Sequence, residues 1–251
     1  MAEFTARFGV DMRDFDTLDQ IVLATDDRVV VAEGDLELVY GGDFRFPGGA
    51  WSGLVETAAL SEAGVLVWEV TGLDLPARFV RPGADPRQAL ERAFSGDDSV
   101  AGSSEDDVLL GYDGDDRVSG GAGSDELAGD AGDDLLDGGL GMDLMDGGGG
   151  GDRLRGGGGT DLLFGGTGRD VFWGDAGRDL FLFDDRTGAD IVRDYQAGRE
   201  KIFIAAGAER FGDLQLSERG GDALVEYDGN SIRLAGVDLD DLGRRDFTFE
   251  L

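Results

Sequence analysis

The chain of 251 residues contains no cysteine, no histidine and a single lysine, Lys201. Without cysteine there can be no disulfide and no thiol nucleophile. Without histidine as well, imidazole-based catalytic triads, HExxH zinc sites and covalent haem attachment are excluded. Zinc itself is disfavoured, because it prefers nitrogen and sulfur ligands. Any metal ion that this chain binds is therefore expected to be held by oxygen atoms.

Basic residues and long apolar segments are also scarce. Only 22 Lys and Arg stand against 54 Asp and Glu, which gives a formal net charge of −32 and a pI near 4.1. Such a charge argues against nucleic acid or an anionic membrane as an electrostatic partner. No apolar run approaches the length of a transmembrane helix, and the start MAEFTARFGVDMRDFD lacks the basic and apolar regions of a secretory signal peptide. We therefore expect neither a membrane span nor export by a cleaved N-terminal signal.

Glycine, by contrast, is abundant and follows a nine-residue period between residues 96 and 182. Nine units that begin at Gly102 have the general form G-G-x-G-x-D-x-U-x, where U is apolar, and a worn half-unit precedes them. The sixth position is always aspartate: Asp98, Asp107, Asp116, Asp125, Asp134, Asp143, Asp152, Asp161, Asp170 and Asp179. The eighth position is always apolar: Val100, Leu109, Val118, Leu127, Leu136, Met145, Leu154, Leu163, Phe172 and Phe181.

Each unit is too short for a helix, but it suits one tight turn and one very short strand. The residues around position eight would form the strand, with the middle side chain turned inward. The glycine-rich positions would form the turn, because glycine reaches positive φ at little cost. Two units, or eighteen residues, would close one coil. The pattern thus predicts an all-β fold built on a parallel β-roll over residues 96–182, whereas a disordered acidic linker would not keep position eight apolar.

In such a roll the aspartates form two columns on opposite edges, with one carboxylate per coil in each column. Stacked coils lie roughly 4.8 Å apart, so the ionised carboxylates would repel one another. A cation between coils would remove the repulsion, and a flexible site of many oxygens favours Ca²⁺ over Mg²⁺. Five loops per column leave four gaps, so up to about eight ions are expected. Turn glycines are expected to contribute carbonyl oxygens beside the ten aspartates: Gly120, Gly129, Gly138, Gly147, Gly156 and Gly165.

The repeat resembles the repeats-in-toxin (RTX) haemolysin-type nonapeptide, a calcium-binding β-helix repeat. The later segment ADIVRDYQAGREKIFI is similar to the D-x-I-x-D-F-x-x-G-x-D-x-I segment that follows the roll in RTX proteases and epimerases. Tyr195 stands there for Phe, and Glu200 for Asp. The resemblance implies Ca²⁺ held between coils and export through the type I secretion machinery by an uncleaved C-terminal signal. The first full turn departs most from the motif, because Ser103 and Glu105 replace two of its glycines.

The flanks of the repeat read as β-rich. Apolar alternation from Leu36 to Phe46 predicts strands with a hairpin turn at Gly41-Gly42, and Asp228-Gly229 predicts a second hairpin. Asp85 and Pro86 are typical of a helix N-terminus, so a short capping helix is expected next to the first coil. The predicted organisation is a β-rich N-terminal domain (1–84), the capping helix (85–95), the roll (96–182) and a β cap that contains the secretion signal (183–251).

One outer face of the predicted roll is unusually apolar. It includes Leu144, Leu162, Phe164, Leu180 and Leu182 at positions seven and nine of alternate units. A contiguous apolar patch of this size is seldom left in water. We therefore expect the flanking β segments to fold over it.

The sequence predicts a secreted, non-enzymatic calcium-binding protein, extracellular or at the bacterial cell surface, whose roll folds on meeting external Ca²⁺. Two other classes of function remain open. One is an adhesion module in which residues 1–84 bind a glycan or a cell-surface partner. The other is a small polysaccharide-modifying enzyme, for which Tyr40, Asp43 and Arg45 form the one cluster of note. No catalytic residue and no cofactor besides Ca²⁺ is predicted.

Overall fold

The computed structural model describes residues 96–249 with their side chains and, before them, the backbone of six strands. The helix predicted over residues 85–95 lies outside the described residues. No helix in the described part of the chain is long and apolar enough to cross a membrane. The six strands are β1 (Glu3–Ala6), β2 (Ile21–Ala24), β3 (Arg28–Glu33), β4 (Leu36–Arg45), β5 (Ser52–Glu62) and β6 (Val65–Pro76).

The repeat region is a parallel β-solenoid with eighteen residues per coil, which confirms the predicted β-roll. In one sheet Leu136 pairs with Leu154, and in the other Leu127 pairs with Met145, so the register step is one coil in both. Its strands are β7 (Ser99–Ala101), β8 (Val108–Leu110), β9 (Arg117–Ala122), β10 (Glu126–Ala128), β11 (Leu135–Gly141), β12 (Leu144–Asp146), β13 (Gly149–Gly150), β14 (Arg153–Gly159), β15 (Leu162–Phe164), β16 (Thr167–Gly168), β17 (Val171–Gly177) and β18 (Leu180–Phe183).

Two sheets enclose the core of the roll. The first sheet contains β7, β9, β11, β14 and β17, and the second contains β8, β10, β12, β15 and β18, while β13 and β16 pair within the turns. All ten apolar residues at position eight are buried, none more than 1% exposed. Phe172 packs edge-to-face against Phe181 and Phe183 at the C-terminal end, with ring centroids 6.1 and 5.5 Å away. Truncating one such residue to alanine is expected to cost about 2–5 kcal/mol.

The turns take the left-handed backbone conformation that the glycine pattern predicts. At position two φ is positive at three of the four residues that replace glycine, with values of 75° at Tyr112, 69° at Asp130 and 59° at Asp175, but not at Ser103 of the first full turn. A non-glycine residue there costs of order 1–2 kcal/mol. The coil geometry, and not the residue, therefore sets the turn conformation at these positions.

The N-terminal strands continue the first sheet. Strand β1 pairs in parallel with β7, Phe4 opposite Val100, and antiparallel with β6 on its other side. Strands β5, β4, β3 and β2 follow beyond β6 in antiparallel order. The hairpin turn predicted at Gly41-Gly42 is wrong: both residues lie inside β4, where the register against β5 shifts. A glycine pair can accommodate a bulge as readily as a turn.

The C-terminal strands extend both sheets at the other end of the roll. Strands β19 and β23 continue the first sheet in parallel, and β22 and β21 follow antiparallel. Strands β20 and β24 continue the second sheet in parallel. Asp228-Gly229 forms the predicted hairpin turn, with Tyr227 opposite Asn230. The elements are β19 (Ala189–Val192), β20 (Lys201–Ile204), β21 (Gln215–Arg219), β22 (Asp222–Tyr227), β23 (Asn230–Leu234), β24 (Phe247–Phe249) and 3-10 turns at Phe211–Asp213, Leu239–Asp241 and Arg244–Asp246.

The outer apolar face of the second sheet is not covered in the way the sequence suggests. The described flanking strands add to the edges of the two sheets and do not form a layer over this face. Leu162 and Phe164 are half-buried by their neighbours in the sheet, and Leu144 remains 42% exposed. The expectation of a covering layer is therefore wrong for the described strands, because the hydrogen-bonding edges of a solenoid also need partners.

Candidate metal-binding edges of the roll

All ten aspartates at position six are buried, with exposures of 0–4%. Each lies just before a strand of the roll, so the eighteen-residue step stacks alternate ones on the same edge. Column one contains Asp98, Asp116, Asp134, Asp152 and Asp170, and column two contains Asp107, Asp125, Asp143, Asp161 and Asp179.

A continuous ladder of hydrogen bonds runs along each column. One carboxylate oxygen, Oδ1, accepts a hydrogen bond from the backbone N–H of the aspartate one coil earlier. Asp134 thus accepts from Asp116, and Asp143 accepts from Asp125, and the distances along both ladders are 2.7–3.1 Å. The ladder fixes the orientation of the eight carboxylates from Asp116 to Asp179 and leaves their second oxygens for another partner.

That second oxygen, Oδ2, is buried and has no hydrogen-bond partner in most of the described turns. Leaving a buried charged oxygen unsatisfied costs several kcal/mol or more, so a regular series of such atoms calls for a ligand. In the first full turn Oδ2 of Asp107 instead accepts from the N–H and Oγ of Ser103, at 2.7 and 2.9 Å. The unsatisfied Oδ2 atoms belong to Asp116, Asp125, Asp134, Asp143, Asp152, Asp161, Asp170 and Asp179.

The glycine at position one makes room for this oxygen. A Cβ atom at Gly129 would lie 2.3 Å from Oδ2 of Asp134 and 2.7 Å from the carbonyl oxygen of Gly147, one coil further on. At Gly120, Gly138 and Gly147 the corresponding distances are 2.3–2.5 Å and 2.7–2.8 Å. Cβ atoms do not come this close to oxygen, so only glycine fits. Gly156 and Gly165 hold the same relation to their own aspartates, with Oδ2 at 2.5 and 2.3 Å. All six glycines named from the sequence therefore line the carboxylate columns.

Burial raises the pKa values of the eight column carboxyl groups from Asp116 to Asp179 above the ordinary 3.8. The pKa rises to about 7 at Asp116 and Asp152 and to about 6 at Asp134 and Asp161. Loss of hydration is the main cause, the backbone N–H from the neighbouring coil opposes it, and nearby carboxylates raise the pKa further. Ionising a column without a counter-charge is therefore unfavourable, which a bound cation would relieve.

The donor set suits a hard cation. Within the described residues no three side chains of aspartate, glutamate, histidine or cysteine converge on one point. A cation here would combine one carboxylate oxygen with backbone carbonyl oxygens of the adjoining turns, such as that of Gly147. Such all-oxygen sites are typical of Ca²⁺, whereas Zn²⁺ requires nitrogen or sulfur.

Each column has a sixth member that the repeat pattern does not reveal. In column one Asp190, 2% exposed, accepts from the N–H of Asp170 at 2.8 Å, and burial raises its pKa to about 8. In column two Glu200 precedes Lys201, which pairs with Leu180, so it occupies the place after Asp179. Its side chain is completely buried, its Oε1 has no partner, and burial raises its pKa to about 7.

The sequence pattern places these two residues in the cap and not in the carboxylate columns. The step from the preceding column member is 20 residues for Asp190 and 21 for Glu200, because the connections between the last strands are longer. A strict nine-residue period therefore misses them. The three residues considered for an enzyme, Tyr40, Asp43 and Arg45, belong to β4, whose side chains lie outside the described part.

The repeat matches a known family of sequence repeats. The RTX calcium-binding nonapeptide repeat matches four times, over residues 92–127, 111–145, 119–154 and 146–181. No curated protein matches the chain.

Several solved structures are similar in part. An extracellular lipase of Serratia marcescens matches over 61% of this chain and 38% of its own, at 16% identity and a TM-score of 0.36. The R3 and R2 subunits of a mannuronan C5-epimerase of Azotobacter vinelandii match over 61% and 60% of this chain and 78% and 92% of theirs. Their identities are 21% and 25%, with TM-scores of 0.29 and 0.28. The chain thus spans less than half the length of the lipase.

Proposed function

From the block of RTX calcium-binding nonapeptide repeats that residues 92–181 form, we propose that this is a secreted, non-enzymatic protein whose roll folds on binding extracellular Ca²⁺ after type I export. One observation carries the proposal. Eight buried carboxylates present an unsatisfied oxygen at regular intervals along two edges, each next to a glycine that leaves space for it. A solenoid stabilised by its own core alone would have no use for these oxygens.

The aspartates and the turn glycines act as calcium ligands in this proposal. Oδ2 of each column aspartate would bind the ion, while Oδ1 keeps its hydrogen bond to the preceding coil. Carbonyl oxygens of position-one glycines would complete the site, because Oδ2 of Asp134 and the carbonyl oxygen of Gly147 lie 2.3 and 2.7 Å from the place where a Cβ of Gly129 would be. With Asp190 and Glu200 included, six carboxylates in a column leave five gaps, so about ten ions, rather than eight, is the upper limit.

Net charge makes the folded state depend on the ion. At −32 the chain repels itself when compact, and stacking the columns about 4.8 Å apart concentrates that repulsion. Ca²⁺ cancels this repulsion only in the folded form, where the sites exist. The free energy of Ca²⁺ binding therefore stabilises the folded state. Extracellular calcium modules bind with dissociation constants on the order of 10⁻⁴–10⁻³ M. The chain would then stay unfolded at cytosolic calcium levels, as passage through a narrow exporter needs, and fold outside.

The absence of histidine and cysteine from the whole sequence supports a non-enzymatic role. Circular dichroism of the full chain during a calcium titration tests the proposal. A β-sheet spectrum that develops cooperatively with Ca²⁺, and not with equal Mg²⁺, is the expected result. A spectrum already complete in excess chelator would refute the folding switch. Binding of Ca²⁺ without any spectral change would leave calcium binding intact and refute only its coupling to folding.

A further inference from the structure

A cavity lies on the outer side of the first sheet where the roll meets the C-terminal strands. Its volume is about 440 Å³, within the range of small-molecule sites. Its walls come from the last turn of column one and from β19, β23, β22 and the end of β21. Three of its lining residues are arginines, Arg169, Arg219 and Arg233.

The strand register explains why these groups meet. Ile191 of β19 pairs with Arg233 of β23, which in turn pairs with Leu224 of β22, so all three side chains point to the same outer face. A two-residue turn of glycines, Gly220-Gly221, sets Arg219 opposite Asp222. Both glycines have positive φ, which the turn requires.

Two of the three guanidinium groups form no ion pair or hydrogen bond with a described residue. Arg233 forms an ion pair with Asp222, whose other oxygen accepts from the N–H of Gly236 at 2.7 Å. The guanidinium groups of Arg169 and Arg219 have no hydrogen bond or ion pair with any described residue, and both side chains are exposed. Arg169 and Arg219 therefore bring two unpaired positive charges to one cavity.

The rest of the lining fits a small organic acid better than a bare inorganic ion. Ile191 and Leu224 provide an apolar wall, and Ser231 adds a hydroxyl group. Arginine recognises carboxylates by paired hydrogen bonds. We propose that this cavity binds the carboxylate of a small acidic molecule, with Arg169 and Arg219 holding the carboxylate and the apolar wall contacting its carbon skeleton.

Calcium should strengthen the binding. Asp190 also lines the cavity and is the last carboxylate of column one. An ion held between the coils of Asp170 and Asp190 would cancel this negative charge beside the site. This coupling rests on the proposed function, whereas the carboxylate site itself does not.

Titration calorimetry on the full chain in Ca²⁺ tests the site, with glucuronate and glutarate as a sugar acid and a linear dicarboxylate. Glucose is the neutral counterpart. We expect at least one of the two acids to bind more tightly than glucose. The tighter of the two shows whether the cavity prefers a sugar ring or a linear carbon skeleton. Arg169→Ala and Arg219→Ala should each weaken binding about tenfold, the effect of losing one charge-assisted hydrogen bond.

Arg178→Ala is the matched control. Arg178 occupies the same position of the next repeat unit as Arg169 and is also exposed, but it belongs to the opposite edge and does not line the cavity. It should bind as the unaltered chain does, and the circular dichroism of all three variants should be unchanged. Equal weakening by Arg178→Ala, or equal binding of glucose, or no binding of either acid would overturn the proposal. If the chain folds without Ca²⁺, the same titrations in chelator still test the site and separate its failure from that of the calcium switch.

Discussion

Oδ1 of Asp190 lies 2.8 Å from the backbone nitrogen of Asp170 and accepts its hydrogen bond. The same contact joins every earlier pair in the column, but there the partners are 18 residues apart and here they are 20. The turn between β18 and β19 takes up the two extra residues. The C-terminal cap therefore continues the carboxylate column beyond the last motif.

Replacing Asp190 with asparagine should lower the number of bound Ca²⁺ ions by one. Asparagine keeps an oxygen that can accept from Asp170, so the ladder survives while the charge is lost. Native mass spectrometry in Ca²⁺ measures the stoichiometry. Asp185→Asn, at an exposed residue of the neighbouring turn, is the control and should retain every ion. An unchanged count in Asp190→Asn would mean that column one ends at Asp170.

Alanine in place of Gly129 should destabilise the calcium-bound protein by about 1–3 kcal/mol, as overpacking does. Its Cβ would lie 2.3 Å from Oδ2 of Asp134, so the carboxylate must move away from the proposed ion. Thermal denaturation at fixed Ca²⁺ measures the change. In Gly158→Ala the nearest atom is the flexible Cδ2 of Leu140 at 3.3 Å, and this variant should melt close to the unaltered chain. Equal losses in both would indicate a general effect of glycine replacement.

Asparagine in place of Asp134 should change stability in opposite directions with and without calcium. In Ca²⁺ a charged ligand is lost, and we expect the calcium needed for folding to rise roughly tenfold. In chelator a buried, unpaired charge is removed, so the variant should be more stable than the parent. A calcium titration followed by circular dichroism measures the first effect, and the residual β-sheet signal in chelator measures the second. Asp137→Asn, on the outer face of the first sheet, should show neither effect. Destabilisation of Asp134→Asn in chelator would argue for a purely structural role.

Acid should partly replace calcium. Unfolded aspartates titrate near 3.8, but in the roll the pKa is about 7 at Asp116 and Asp152 and about 6 at Asp134. The folded state thus binds more protons between these values, and its stability falls as pH rises through this window. Calcium-depleted protein should show more β-sheet circular dichroism near pH 5 than near pH 8, while its calcium affinity is lower at the acidic end. A β-sheet signal that grows with pH in the absence of Ca²⁺ would contradict this.

The roll could be predicted from the sequence because its aspartates and its core residues recur with the same nine-residue period. A single aspartate and a single apolar residue recur at fixed places, so Asp134 and Leu136 alone define an edge and a core position. Each coil packs mainly on its two neighbours, which makes local pattern and global fold agree.

The ends of the roll could not be predicted in the same way. Asp190 and Glu200 take their places through strand register, which depends on β19 and β20 pairing with β17 and β18. The number of residues between successive column carboxylates is then free to vary, so their spacing in the sequence gives no signal. The sequence pattern does not predict the arginine cavity either, because Arg169 and Arg233 line one cavity only when separate strands join one sheet.

The eighteen-residue coil also constrains how the molecule can change in length. Loss of residues 129–146, one full coil, would join two turns of the same kind and keep both carboxylate columns and both sheets in order. Loss of nine residues would transfer every later strand to the opposite sheet, so that β19 and β20 exchanged partners and the cap no longer matched the roll. The roll can therefore grow or shrink only by pairs of repeats. A gene that encodes it should gain or lose coding sequence one full coil of eighteen residues at a time.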